Sequence, residues 1–313
     1  MTGILTTALN SPKSPRQLSL VKKGYTLLFV FFCLCGFSDN YELSACCMFK
    51  NNPQYEREWK DMEEWLEYHR VLGVEHFFIY ADRCTEDFIK NFDWYVDKGI
   101  VTIIKVRNKS WDHSSFQAQC LNNFLSSFGH LTNWCLMTDP DEFIVTKAHN
   151  NIKAMLDSLD ENVGQILLQW VVFGSSGYEN LPLDELLTER FIFCGDNDWV
   201  VYKGICKPKL VSNHNSLHSA CLKPGAKTII APLDFAQINH YWTKDESYFR
   251  MKMKRRNALK MTRGHVSELE ISELLKRFNR NEDYSIFNFI PALKEALYLK
   301  HQAVLTEYQE VGF

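Results

Sequence analysis

The sequence is poor in the short signatures that announce common chemistries. Its ten cysteines include no CxxC pair, which removes the zinc-finger and thioredoxin-like readings. No GxGxxG, P-loop, GxSxG or HExxH occurs, so dinucleotide, nucleoside-triphosphate, serine-hydrolase and zinc-protease chemistries have no support. A basic surplus is also missing: 35 Lys and Arg stand against 38 Asp and Glu, a net charge of −3 that argues against a general nucleic-acid binder. With 14 glycines and nine prolines, collagen-like and low-complexity classes are excluded. There is no internal repeat and no long linker. The longest apolar run, 25–37, falls short of the roughly 20 residues that span a bilayer.

What is present is a large potential core. Of the 313 residues 46% are hydrophobic and 14% aromatic, with only 23% charged, so the chain has the means to fold. Most cysteines, including Cys46, Cys47, Cys135 and Cys206, sit in apolar strand-like contexts that suit free buried thiols. Residues 1–24 carry Lys13, Arg16, Lys22 and Lys23 and no acidic residue, whereas Asp39 and Glu42 follow the apolar run. That asymmetry fits an N-terminal signal or a type II membrane anchor, with the rest of the chain in the Golgi lumen of a eukaryotic host. Secretion after signal cleavage is the alternative.

From residue 42 the pattern alternates. Strands are expected at 43–49, 76–80, 100–106 and 134–137, with helices at 55–72, 86–98 and 114–128 between them. Such an order implies an α/β fold with a mostly parallel sheet flanked by helices. Beyond it the spacing predicts a helix at 151–159, a long strand at 164–173, further β-like stretches at 190–194, 199–211 and 228–230, and helices at 245–261, 266–279 and 284–308. Three regions follow: an N-terminal segment (1–41), a main α/β unit (42–262) and a C-terminal helical extension (263–313). Ligands of open α/β sheets bind beyond the carboxyl ends of the strands. The fourth strand runs into Thr138-Asp139-Pro140-Asp141-Glu142 at that place. Two carboxylates two residues apart on such a turn suit a hard divalent cation, Mn²⁺ or Mg²⁺, that keeps open positions for phosphate oxygens.

Several ordered motifs carry a resemblance. They are 44–50, WKDMEEWLEYHRVLG at 59–73, HFFIYAD at 76–82, WCLMTDPDEF at 134–143, Phe173-Gly174-Ser175-Ser176-Gly177, and Asn239-His240-Tyr241 with Lys244 ahead of a basic helix. Together, over about 42–262, they resemble glycosyltransferase family 92. The resemblance implies a GT-A fold, with a Rossmann-like nucleotide-sugar half and a mixed acceptor half. It also implies a metal-dependent, inverting transfer of a hexose, galactose favoured, from a UDP-sugar to a glycan acceptor. Asp139 and Asp141 take the place of the family's metal and diphosphate contacts, and His240 completes the metal shell. Lys203 and Lys207 resemble the family's acceptor-side lysines, and Gln117 its nucleotide-side glutamine. Lys252 belongs to a basic run, with Arg250, Lys254, Arg255 and Arg256, that resembles the family's diphosphate-side helix. Two departures bear on the donor. The family's Lys-Asn-Glu is here Lys50-Asn51-Asn52, and Asp82 stands in for a shifted aspartate that binds uridine or ribose. An inverting transfer also needs a carboxylate to take the acceptor's proton. Glu189, in Glu189-Arg190-Phe191, resembles the family's motif, with Glu179 and Asp184 as competitors near the glycine loop. Trp170 and Tyr178 are candidates for stacking on a sugar. The alternative is an inactive relative that binds glycans or nucleotide sugars.

Overall fold

The computed structural model describes residues 40–108, 113–258 and 266–310. The apolar run 25–37, with Cys33 and Cys35, lies outside the described residues. Thirteen strands are described in chain order: β1 (Tyr41–Phe49), β2 (His76–Asp82), β3 (Val101–Val106), β4 (Thr132–Met137), β5 (Glu142–Thr146), β6 (Val163–Val172), β7 (Phe193–Cys194), β8 (Tyr202–Cys206), β9 (Val211–Asn213), β10 (Cys221–Leu222), β11 (Lys227–Ile230), β12 (Ala236–His240) and β13 (Asn281–Glu282). The helices are α1 (Glu58–Val71), α2 (Glu86–Lys90), α3 (Asp93–Asp97), α4 (His113–Ser127), α5 (Ile152–Asp157), α6 (Leu187–Arg190), α7 (Glu246–Ala258), α8 (Glu268–Arg277) and α9 (Ile290–Glu310).

Nine strands form one sheet in the order β3-β2-β1-β4-β8-β6-β12-β5, with β11 also on β6. The first four are mutually parallel. Then β8 runs antiparallel to both β4 and β6, while β12 and β11 run parallel to β6. The α/β class and mostly parallel sheet expected from the sequence are present. Because both faces are covered, β1 buries alternate residues on opposite sides. Leu43, Ala45 and Cys47 join Met62, Trp65 and Tyr95 of α1 and α3, whereas Cys46 and Met48 join Phe116, Cys120 and Phe124 of α4. Cys46, Cys47, Cys135 and Cys206 are free and buried, as expected.

The C-terminal helix α9 lies along α1, where Lys300 Nζ donates to Glu63 Oε1 at 2.6 Å. A small third core of Phe249, Met253, Ile271 and Leu275 joins α7 to α8. Among the described residues no helix is long and apolar enough to cross a membrane.

Three elements differ from expectation. The helix expected over 86–98 is broken into α2 and α3, because the Asn91 side chain donates to the carbonyls of Asp87 and Phe88 and caps the first piece. Gly99 then ends the second at φ +68°, the left-handed position that favours glycine. The stretch 199–211 is not one strand: β8 ends at Cys206, Pro208 opens a 3₁₀ turn, Pro208–Leu210, and β9 starts at Val211. Strand β5, absent from the sequence reading, begins at Glu142 immediately after the acidic turn.

Candidate active site

The site forms where β4 leaves the sheet. Asp139 O accepts from Glu142 N at 3.0 Å, closing a β-turn with Asp at its first position and Pro140 at its second, an arrangement that fits both residue types. The turn separates the two carboxylates. Asp139 points between α4 and β8: Oδ1 accepts from Gln117 Nε2 of α4 at 2.7 Å, and Oδ2 from Lys203 Nζ of β8 at 2.9 Å. Lys203 is there because β8 pairs antiparallel with β4 in the register Met137↔Gly204, which carries the next residue past the end of β4. Its ammonium is buried and also lies 3.6 Å from Glu142 Oε2. Burial favours the neutral amine, but Asp139 and Glu142 outweigh it and hold Lys203 above the usual lysine range. Glu142 accepts from Asp139 N at 2.8 Å and is fully buried. Burial, with Asp139 and Asp141 adding to it against Lys203, holds its carboxyl well above the usual range. Phe143 is core, packed edge-on against Tyr68 and Tyr241.

Asp141 points toward β12 and α7. Strand β12 pairs with β5 in the register His240↔Glu142, and Tyr241 N donates to Asp141 O at 2.8 Å. This register brings His240 Nε2 to 3.6 Å from Asp141 Oδ1. The imidazole meets the Trp170 ring of β6 at a tilt of 54°, centroids 4.2 Å apart. Lys252 Nζ lies 3.8 Å from Asp141 Oδ2. Burial raises the Asp141 carboxyl, yet His240, Lys252 and Lys244 together hold it well below the usual range. Burial brings Lys252 down to about 8, with Lys244, Arg256 and Arg255 acting in the same direction against Asp141.

These groups share a cavity of about 370 Å³ whose wall includes Lys50, Glu58, Asp61, Gln117, Asp139, Asp141, Trp170, His240, Trp242, Lys244, Tyr248, Lys252 and Arg255. Tyr248, Lys252 and Arg255 stand at i, i+4 and i+7 on one face of α7. Lys244 is held at 2.6 Å by Asp61 Oδ2 and flanked by the rings of Tyr55 and Tyr248, each 4.9 Å away. Its backbone has φ +50°, an uncommon conformation outside glycine.

Of the residues singled out in the sequence, the structure brings Asp139, Asp141, His240, Gln117, Lys50 and Lys252 together, with Lys203 behind Asp139. It does not bring Asp82 or Lys207 to the cavity wall. The Asp82 carboxylate is taken by Arg83 and by Asn108 N, and Lys207 Nζ donates to Glu161 O beside the Trp134 ring. Nor does it bring the three proposed bases. Glu189 pairs with Lys294 at 2.8 Å, Glu179 and Asp184 are exposed, and none of them lines the cavity. Tyr178 packs on Phe191 instead. The glycine loop has a structural reason: a side chain at Gly174 would collide with Asn279 and with the Phe278 carbonyl. Sequence reasoning missed Glu58, Asp61 and Tyr248. Their signal was the i, i+3 pair on α1 and the i, i+4 spacing of Tyr248 with Lys252 on α7.

Among the described residues no group of three His, Cys, Asp or Glu side chains is arranged to hold a metal ion. Asp139 is committed to Gln117 and Lys203, while Asp141 and His240 face each other on the cavity wall. That pair fits a hard divalent ion that takes its remaining ligands from water and phosphate.

The chain has relatives among known proteins. A glycosyltransferase family 92 protein of Arabidopsis thaliana is 26% identical over 236 residues, 70% of this chain but 38% of the relative. One of Ricinus communis is 23% identical over 238 residues, with the same coverage. The chain thus spans well under half the length of the curated relatives it matches. Two solved structures align at 12% identity. The mannosyltransferase PcManGT of Pyrobaculum calidifontis, in complex with GDP-Man and Mn²⁺, covers 88% of this chain and 81% of its own at a TM-score of 0.38. S. aureus TarS 1-349 in complex with UDP-GlcNAc covers 75% and 70% at 0.37. Scores at this level set no donor or mechanism. The family model for glycosyltransferase family 92 matches residues 46–281, about three quarters of the sequence, and the chain belongs to that family.

Proposed function

We propose that the protein transfers a hexose, galactose favoured, from a UDP-sugar to a glycan acceptor with inversion at the transferred carbon. One observation carries this reading: in a family 92 chain, Asp141, His240, Lys244, Lys252 and Arg255 converge on one cavity at the carboxyl end of β4. The ammonium groups of Lys244 and Lys252 and the Arg255 guanidinium supply positive charge to a donor diphosphate. A divalent ion held by Asp141 and His240 would neutralise charge on the departing diphosphate. Asp139 takes no part in holding it, because Lys203 and Gln117 fix its carboxylate as a wall of the site.

Trp170 forms part of the cavity wall and touches the His240 ring. The proton of the acceptor hydroxyl requires a carboxylate in the cavity. Both Asp61 oxygens are taken, by Arg57, Tyr55 and Lys244, whereas Glu58 is held through one oxygen by Asn52 N. Burial moves Glu58 to about 7, the range in which a base works best at neutral pH. Glu58 therefore replaces Glu189, Glu179 and Asp184 in this reading. Membrane attachment through 25–37 belongs to the same proposal and is tested by carbonate extraction of the expressed chain.

The test is a transfer and hydrolysis screen of UDP-galactose, UDP-glucose, UDP-GlcNAc and GDP-mannose with and without Mn²⁺. Turnover of one UDP-sugar that requires Mn²⁺ is the expected result. Silence with every donor, in a chain that still binds glycans, would favour the inactive relative.

A further inference from the structure

The segment between β7 and β8 presents an indole to solvent. Trp199 is 39% exposed and its neighbour Val200 is 55% exposed, beside one of the most polar stretches of the fold. A lone exposed apolar residue needs no explanation, but this one is continuous with the cavity. The Trp199 ring meets Trp242 edge-on, centroids 5.8 Å apart at 88°, and Trp242 lines the cavity. One face of Trp199 lies nearly parallel to Phe278 at 5.9 Å, so the ring is held by two aromatic neighbours while part of it stays exposed.

The segment is also tied down. Asp196 accepts from Arg280 at 2.6 Å and from Asn281 at 3.0 Å, and Asp198 accepts from Arg277 at 2.9 Å. Gln169 Nε2 donates to Asn197 O, and Val201 O accepts from the backbone of Trp170. Each surface pair alone contributes little. Together with the backbone bonds at Gly195 and Val201 they fix both ends of the segment and so preorganise the indole.

We infer that Trp199, braced by Trp242, is the platform on which a neutral pyranose ring of the acceptor glycan lies. A pyranose has an apolar C–H face and a polar rim, and a rigid indole beside a polar edge matches both. The position suits an acceptor, since the platform adjoins the donor cavity without lining it. This rests on the reading that the Asp141 cavity holds the donor.

The experiment uses the full chain on immobilised neutral oligosaccharides of galactose, glucose, mannose and fucose, with sialylated and sulfated counterparts alongside. UDP titration is run in parallel. Trp199→Ala is expected to lose about tenfold or more of the neutral-glycan affinity, and Trp199→Phe to keep most of it, with UDP affinity unchanged in both. Circular dichroism and melting temperature confirm that each variant folds. Wild-type binding no stronger than that of Trp199→Ala, or binding restricted to charged glycans, overturns the platform. Loss of glycan binding in Trp199→Ala from a chain that never binds UDP would instead sustain the platform and reject the donor cavity.

Discussion

The two halves of the sheet meet at the turn 138–141 and bury different things. In β1, β2 and β4 the strand interiors are almost wholly apolar, and the polar residues that reach the site sit beyond the strand ends. In β5, β8 and β12 the buried residues include Glu142, Lys203, Gln237, Asn239 and His240, inside the strands themselves. A buried charge is tolerated only with partners. Lys203 has Asp139 and Glu142, and Gln237 donates to Asn239 and Asp283. The parallel half is thus the more apolar scaffold and the mixed half carries the buried polar groups, while α1 and α4 add Glu58, Asp61 and Gln117 to the cavity wall. Asp139 and Asp141, two residues apart, have different partners: Gln117 and Lys203 hold the first, while His240 and Lys252 lie beside the second.

The comparison breaks most readily at Lys203. Lys203→Met leaves Asp139 and the fully buried Glu142 facing each other without a cation, and should cost about 3–5 kcal/mol in denaturant unfolding. A loss below about 1 kcal/mol would mean that the network is not what holds the mixed half. Gly174→Ala, at the end of β6, should destabilise by about 1–3 kcal/mol, because its Cβ has no room beside Phe278 and Asn279. In the parallel half, by contrast, Ile79→Val in β2 should cost only about 0.5–1.5 kcal/mol, the ordinary effect of one lost methylene. Equal losses at Ile79 and Lys203 would erase the distinction.

A further effect concerns pH. Burial raises Glu58 and Glu64 from 4.5 to about 7, so the folded chain binds more protons than the unfolded one between those values. Stability should therefore fall as pH rises from about 4.5 to 7. Glu58→Gln should flatten part of that slope in a melting-temperature series, and an unchanged slope would remove Glu58 as a buried acid.

The parallel half was legible in the sequence because buried parallel strands read as continuous apolar runs between amphipathic helices. The mixed half was not. Strand β5 opens on an acidic residue, and β8 and β9 are separated by Pro208 within one apolar-looking stretch. At the site, Asp139, Asp141, His240, Gln117 and Lys252 were legible from motif order. Their division was not, since it depends on the β12–β5 register and on the pairing of β8 with β4. The three carboxylates singled out as candidate bases miss the cavity for a similar reason. Glu189, Glu179 and Asp184 are close to the glycine loop in sequence, but Lys294 and solvent claim them. Glu58 reaches the cavity from α1, far away along the chain.

The central claim is that Asp141, with His240, faces the ligand while Asp139 faces the protein. Calorimetric titration of UDP with and without Mn²⁺ tests it most directly, on the wild type, Asp141→Asn and Asp139→Asn. Mn²⁺-dependent binding is expected, weakening about a hundredfold or more in Asp141→Asn, beyond the cost of losing an outer partner of a metal ligand. Asp139→Asn should lose less than about tenfold while its melting temperature falls. Equal losses in the two variants, or UDP binding indifferent to Mn²⁺ and to Asp141, would contradict it.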